Sequence, residues 1–188
     1  MNNLFIIRHC YGAGKEPSTP LTAEENEQAK QLASFMNGLN IDVLISSPSL
    51  RSIHSLQPTA IQLRKPIVID ERMEERLLAI CHSKEGMKKF VQLFGHAAFK
   101  SKEASTEQTT SFSGLSVLSN ALNKQANNVA VMTSRHEVST LLNYFDIEED
   151  ARGEGTSYMD IFVIRCKAEQ LSVERVWSCG QSRELLPT

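Results

Sequence analysis

The sequence predicts an α/β fold in which helices cover a sheet, and three observations predict it. Short apolar runs of strand length alternate with segments whose apolar residues recur at helical spacing, the pattern of βαβ units. Two further strand-like runs close the chain, about Met159–Arg165 and Leu171–Val176. No internal repeat or splitting linker interrupts the 188 residues, a length that suits one domain with a sizeable core.

The first strand is Leu4–Ile7, followed by a loop rich in Gly and Pro. Thr22 is placed to cap the first helix, with Glu25 three residues on as its capping-box partner. Ala29, Leu32, Ala33 and Met36 form that helix's apolar stripe, and Gly38 marks its end. Val43–Ile45 reads as the second strand and opens into Ser46-Ser47-Pro48.

A second helix is expected to start near Ser49 with Leu50 and Ile53 inward, and Pro58 to stop or kink it. Pro66–Ile69 suggests a third strand. Residues 84–99 suggest a helix with Met87, Phe90, Val91 and Phe94 as its stripe. From Lys100 to Gly114 the chain is polar and rich in Ser and Thr, a loop or lid signal. Leu115–Leu122 looks helical, and Val129–Met132 is the fourth strand. Val138, Leu141, Leu142 and Phe145 then fall at i, i+3, i+4 and i+7 of another helix.

Composition removes several classes of function. With 20 basic and 22 acidic residues the formal charge is −2, so no overall field draws nucleic acid or a membrane surface. No run approaches transmembrane length, and Met1-Asn2-Asn3 with four apolar residues behind it does not read as a signal peptide. Cys10, Cys81, Cys166 and Cys179 form neither a C-x-x-C pair nor a zinc spacing with His. Reduced cysteines in a cytoplasmic protein are expected.

The chemistry starts at Arg8 and His9, where the first strand ends and Cys10-Tyr11-Gly12-Ala13-Gly14-Lys15 follows. Open α/β sheets bind ligands at that carboxyl edge, and three phosphate chemistries compete for these residues. A nucleotide P-loop would end in Gly14-Lys15, but His9 occupies the place of its first Gly and Glu16 that of its Ser or Thr. A cysteine phosphatase loop would use His9-Cys10, but needs a cation where Glu16 stands. The third makes His9 the nucleophile, with Arg8 on the phosphate. That reading requires more cations at other strand ends. The second strand supplies Arg51, one turn after Ser46-Ser47-Pro48. The third is followed by Asp70, Glu71, Glu74 and Glu75. The fourth leads to Thr133-Ser134-Arg135-His136.

In these segments the chain resembles the histidine phosphatase superfamily, the phosphoglycerate mutase-like proteins. Leu-Phe-Ile-Ile-Arg8-His9-Cys10 is similar to the family's strand followed by R-H-G. Pro20-Leu21-Thr22 with Glu27-Gln28-Ala29 resembles its P-L-T…E-Q-A helix start. Ser46-Ser47-Pro48-Ser49-Leu50-Arg51 resembles S-S-P-L-x-R, and Val131–His136 with Leu141-Leu142 resembles its later strand, second His and helix.

The expected architecture is a three-layer α/β/α sandwich with a mixed, mainly parallel sheet. It would be a single domain over residues 1–188 with a substrate-capping region at about 76–115.

The resemblance implies catalytic roles for His9, Glu75 and His136, and substrate binding by Arg8, Arg51 and Lys15. His9 would be the nucleophile and Glu75 the general acid, with Glu71 and Glu74 as rivals. No metal or cofactor is implied, because arginines and histidines carry the charge. The substrate would be a phosphorylated small molecule or phosphoprotein, with inorganic phosphate as product. Neither nucleic acid nor membrane is expected as a partner.

Three functions follow. The first is a metal-independent phosphatase working through a phosphohistidine; the second is a phosphoglycerate mutase-type isomerase. The third is a non-catalytic member that binds phosphate ligands. About sixty residues separate Glu75 from His136, short for the insertion that mutases carry, so hydrolysis is favoured. The chain departs from the family at Cys10 and Glu137, each in place of a Gly. It also lacks the usual glycine signature across Arg76–His82.

Overall fold

A computed structural model of the chain describes residues 3–10, 18–69, 126–144, 159–167 and 170–179. The strands are β1 (Asn3–Arg8), β2 (Val43–Ser46), β3 (Ile67–Ile69), β4 (Asn128–Thr133), β5 (Asp160–Lys167) and β6 (Gln170–Ser178). The helices among the described residues are α1 (Ala23–Met36), α2 (Leu50–Leu63) and α3 (Arg135–Tyr144). The segments expected at 84–99, 100–114 and 115–122 lie outside the described residues, as does Phe145.

The strands form one sheet in the order β3-β2-β4-β1-β5-β6. β3, β2, β4 and β1 run parallel, while β5 and β6 are antiparallel to their neighbours. The sheet is therefore mixed, as the sequence predicts. The carboxyl ends of the four parallel strands share one edge, and the antiparallel turn brings the start of β5 to that edge too.

β1 is central and apolar on both faces, as a strand covered by helices on each side must be. Phe5 and Ile7 pack with Leu32 and Met36 of α1 and Leu56 of α2. By strand alternation Leu4 and Ile6 face the opposite side, where they are buried and α3 lies against β1 with Val138 and Leu142 inward. The three layers are thus helix, sheet and helix. At the opposite, amino edge, Asn128 Nδ2 donates to the Leu39 and Asn40 carbonyls. Its Oδ1 accepts from Asn3, while the Asp42 carboxylate takes the amides of Asn127 and Asn128.

α1 forms as its sequence dictates. The Thr22 hydroxyl accepts from the Glu25 amide at 3.2 Å, and the Glu25 carboxylate accepts from the Thr22 amide at 2.6 Å. Its predicted stripe is buried throughout. The helix closes at Asn37, one residue before the glycine expected to end it.

α2 narrows one expectation, that Pro58 stops or kinks it, and corrects another. Pro58 does not stop it; the helix continues to Leu63 and ends at Arg64 in the left-handed conformation, φ 54°. Five helical residues follow the proline and bury Thr59, enough packing to carry the helix past one lost backbone bond. Leu50 is not inward either, being 42 % exposed, and Ile53 is only half-buried. The buried face is instead Arg51, Ser52, Ser55, Leu56 and Thr59. An apolar-periodicity argument misses that face because most of it is polar.

Candidate active site

The carboxyl edge gathers its residues by backbone pairing. The ladder between β1 and β4 ends with Arg8 opposite Thr133, and the His9 amide extends it by donating to the Thr133 carbonyl at 3.1 Å. Beyond β2, the Ser47 amide donates to the Met132 carbonyl at 3.2 Å. Ser49 then caps α2, its hydroxyl accepting from the Ser52 amide at 3.1 Å. The Ser52 hydroxyl in turn accepts from the hydroxyls of Ser47 and Ser49 at 2.8 and 2.9 Å. This small network fixes the first turn of α2 against the strand end. It thereby places Arg51 as a buried residue two positions into the helix.

The His9 ring is oriented by the chain next to it. Its Nδ1 lies 2.7 Å from the Cys10 carbonyl oxygen. A carbonyl only accepts, so Nδ1 carries the hydrogen, and in the neutral ring Nε2 carries the lone pair. Burial is the largest influence on its pKa and lowers it from 6.5. The bond to the Cys10 carbonyl opposes that shift. The guanidinium charges of Arg51 and Arg8 lower the pKa further, and the Glu25 carboxylate raises it. The result is a neutral imidazole near neutral pH, oriented and flanked by two cations.

The surroundings of Cys10 argue against the competing thiolate reading of this loop. Its side chain is buried in the core cluster beneath α1 and α2. The thiol faces the Glu25 carbonyl and the Gln28 side-chain oxygen, each at 3.7 Å. Burial pushes its pKa up to about 12; the nearby Ser55 hydroxyl pulls the other way, and the Glu25 charge adds to the rise. A thiol in that state is not a nucleophile. Nor does the position need glycine, since Asn40 and Arg64 are the non-glycine residues with positive φ among the described residues.

Arg8 is held by a residue that no sequence motif singles out. Its Nη2 donates to Oδ2 of Asp160, the first residue of β5. The one available signal is an acidic residue at the head of the apolar run Ile161–Ile164. Its partner is 152 positions away, and nothing local specifies that pairing.

His136 takes the second position of α3, directly beyond the end of β4 and therefore at the same edge. Arg135 before it is exposed, as a rim charge would be, and Glu137 follows in the helix's first turn. His54 sits half-buried on α2. Lys15, Glu75, its rivals Glu71 and Glu74, and the region 76–115 lie outside the described residues. The structure thus brings together the backbone positions of Arg8, His9, Arg51 and His136. Among the described residues no cluster of His, Cys, Asp and Glu could hold a metal ion, and no helix is long and apolar enough to cross a membrane.

A family model described as the histidine phosphatase superfamily (branch 1) matches residues 4–176. No curated protein matches the chain in sequence. Solved structures share its fold at low identity. The phosphoglycerate mutase of Bacillus anthracis str. Sterne has a TM-score of 0.58 at 15 % identity, covering 93 % of this chain and 92 % of that one. A mutant phosphoserine phosphatase of Entamoeba histolytica, in complex with phosphoserine, gives 0.55 at 19 %, covering 92 % and 95 %. The alpha-ribazole phosphatase of Shigella flexneri gives 0.54 at 15 %, covering 92 % and 95 %.

Proposed function

The chain belongs to branch 1 of the histidine phosphatase superfamily, and from that premise we propose that it is a metal-independent phosphatase. It hydrolyses a phosphomonoester, on a small metabolite or a phosphoprotein, through a phosphohistidine intermediate. The observation that carries this reading is the His9 ring: half-buried, with Nδ1–H bound to the Cys10 carbonyl and its pKa lowered.

In the proposed reaction His9 Nε2 attacks phosphorus in line while the ester oxygen departs. Arg8 and Arg51 hold the phosphoryl oxygens, where planar guanidinium donors fit and where charge spreads in the transition state. His136 completes the cage. Glu75 donates a proton to the leaving oxygen, with Glu71 and Glu74 as the rivals for that role. Water then attacks the phosphohistidine and returns His9 and inorganic phosphate. Lys15 contacts substrate, and the capping region at about 76–115 selects it.

The test is steady-state hydrolysis of para-nitrophenyl phosphate in EDTA. His9→Ala should lower kcat by about a thousandfold or more, whereas Cys10→Ser should retain wild-type turnover. The reverse pattern would restore a thiolate mechanism and sink this one. Phosphoryl exchange between positions of a phosphoglycerate, in place of release to water, would make the enzyme a mutase. Phosphate binding with no turnover in either assay would leave a binding protein.

A further inference from the structure

We propose that Asp160 is the positioning residue of the phosphate clamp, fixing the Arg8 guanidinium from the first position of β5. The inference rests on the reading of Arg8 as a phosphate ligand.

The geometry comes from the junction between the parallel and antiparallel halves of the sheet. β1 and β5 pair antiparallel up to Ile7 opposite Ile161, so Arg8 and Asp160 face each other one step beyond the ladder. Opposed residues in such a pair project to the same face. The bond from Arg8 Nη2 to Asp160 Oδ2 closes there, with side-chain exposures of 15 % and 6 %.

Two arguments favour a functional role over a purely structural one. Removing a carboxylate and a guanidinium from water is costly, and such a pair is often no more stabilising than apolar residues of the same size. Stability alone therefore gives little reason for this pair. A carboxylate beside a phosphate ligand also opposes the incoming dianion, a cost that a binding site accepts only for something gained. What is gained is orientation. Arg8 has a flexible stem and five N–H donors in a rigid plane. Anchoring one end of that plane sets the direction of the others before substrate arrives, and clamp geometry affects rate more strongly than it affects affinity.

Two substitutions separate position from charge. Asp160→Asn keeps an acceptor oxygen in place and removes the charge, whereas Asp160→Glu keeps the charge and displaces it by one methylene. The full chain is assayed with para-nitrophenyl phosphate for kcat and KM, with inorganic phosphate by calorimetry, and for Tm. The expected result is that Asp160→Asn retains kcat to within about threefold. Asp160→Glu should lose about tenfold or more, mostly in kcat. Equal loss in both, or wild-type kcat in Asp160→Glu, overturns the proposal. If Asp160→Glu does not fold, Asp160→Ala takes its place with the same expectation.

His9→Ala is run alongside. Should it keep wild-type turnover, the catalytic reading fails on its own, and Asp160 is judged by phosphate binding. There Asp160→Glu must weaken the Kd by about threefold or more while Asp160→Asn does not. A wild type that neither hydrolyses the ester nor binds phosphate overturns both.

Discussion

At His9 one hydrogen bond decides which nitrogen keeps its lone pair. Because the Cys10 carbonyl takes the Nδ1 hydrogen, the imidazole is set in the tautomer that leaves Nε2 as the base. The lowered pKa keeps a larger share of it neutral than an ordinary histidine would have at the same pH. Nitrogen-detected NMR of the native protein should show an Nδ1–H tautomer titrating below 6.5; an Nε2–H tautomer or a higher midpoint would contradict this. Stability follows the same sign. The unfolded chain takes a proton near 6.5 that the folded chain refuses, so the contribution of this group is full above that value. It is lost as the pH falls through the folded-state pKa.

The sequence alone marks Arg8, His9 and Arg51 as candidates because each follows a legible strand or its loop. It says nothing of Asp160, whose meaning exists only across a strand pair. Nor does it say that Cys10 turns into the core.

The elements show why one pattern was readable and another was not. α1 is an amphipathic helix with a capping box, and both signals are local, so its start and its buried face follow from the residues. Thr22→Ala should cost about 1 kcal/mol in chemical denaturation; no change would mean the cap is dispensable. α2 misleads because periodicity assumes an apolar interior, whereas its buried face presents Arg51, Ser52, Ser55 and Thr59. Its proline also removes a helical bond midway along the element. Replacing Pro58 with Ala should restore that bond and raise stability by about 1–3 kcal/mol, read as a higher Tm. A lower Tm would show that the helix has been fitted to its proline.

Across the whole molecule, the two edges of the sheet divide the work. The carboxyl edge carries Arg8, His9, Arg51 and His136, and the amino edge carries the Asn128 and Asp42 network. Asn128→Ala removes three bonds, to Asn3 and to the carbonyls of Leu39 and Asn40, and should destabilise by about 1–3 kcal/mol. It should leave kcat for an aryl phosphate unchanged, and a matching loss of turnover would refute that division. The alternation of strands and helices made the α/β class legible, since parallel pairing requires crossovers. Strand order was not legible, because nothing in Leu4–Ile7 states that its neighbours are β4 and β5.

That strand order has a consequence during synthesis. β1 leaves the ribosome before the other described strands, yet Asn3 bonds to Asn128, 125 positions later, and β5 emerges later still. The middle of the sheet therefore cannot close until most of the chain has been made. Until then β1 offers two unpaired apolar faces to the cell. Translation pauses or chaperone contact would act on that interval, and a truncation ending before β4 would leave a sticky fragment.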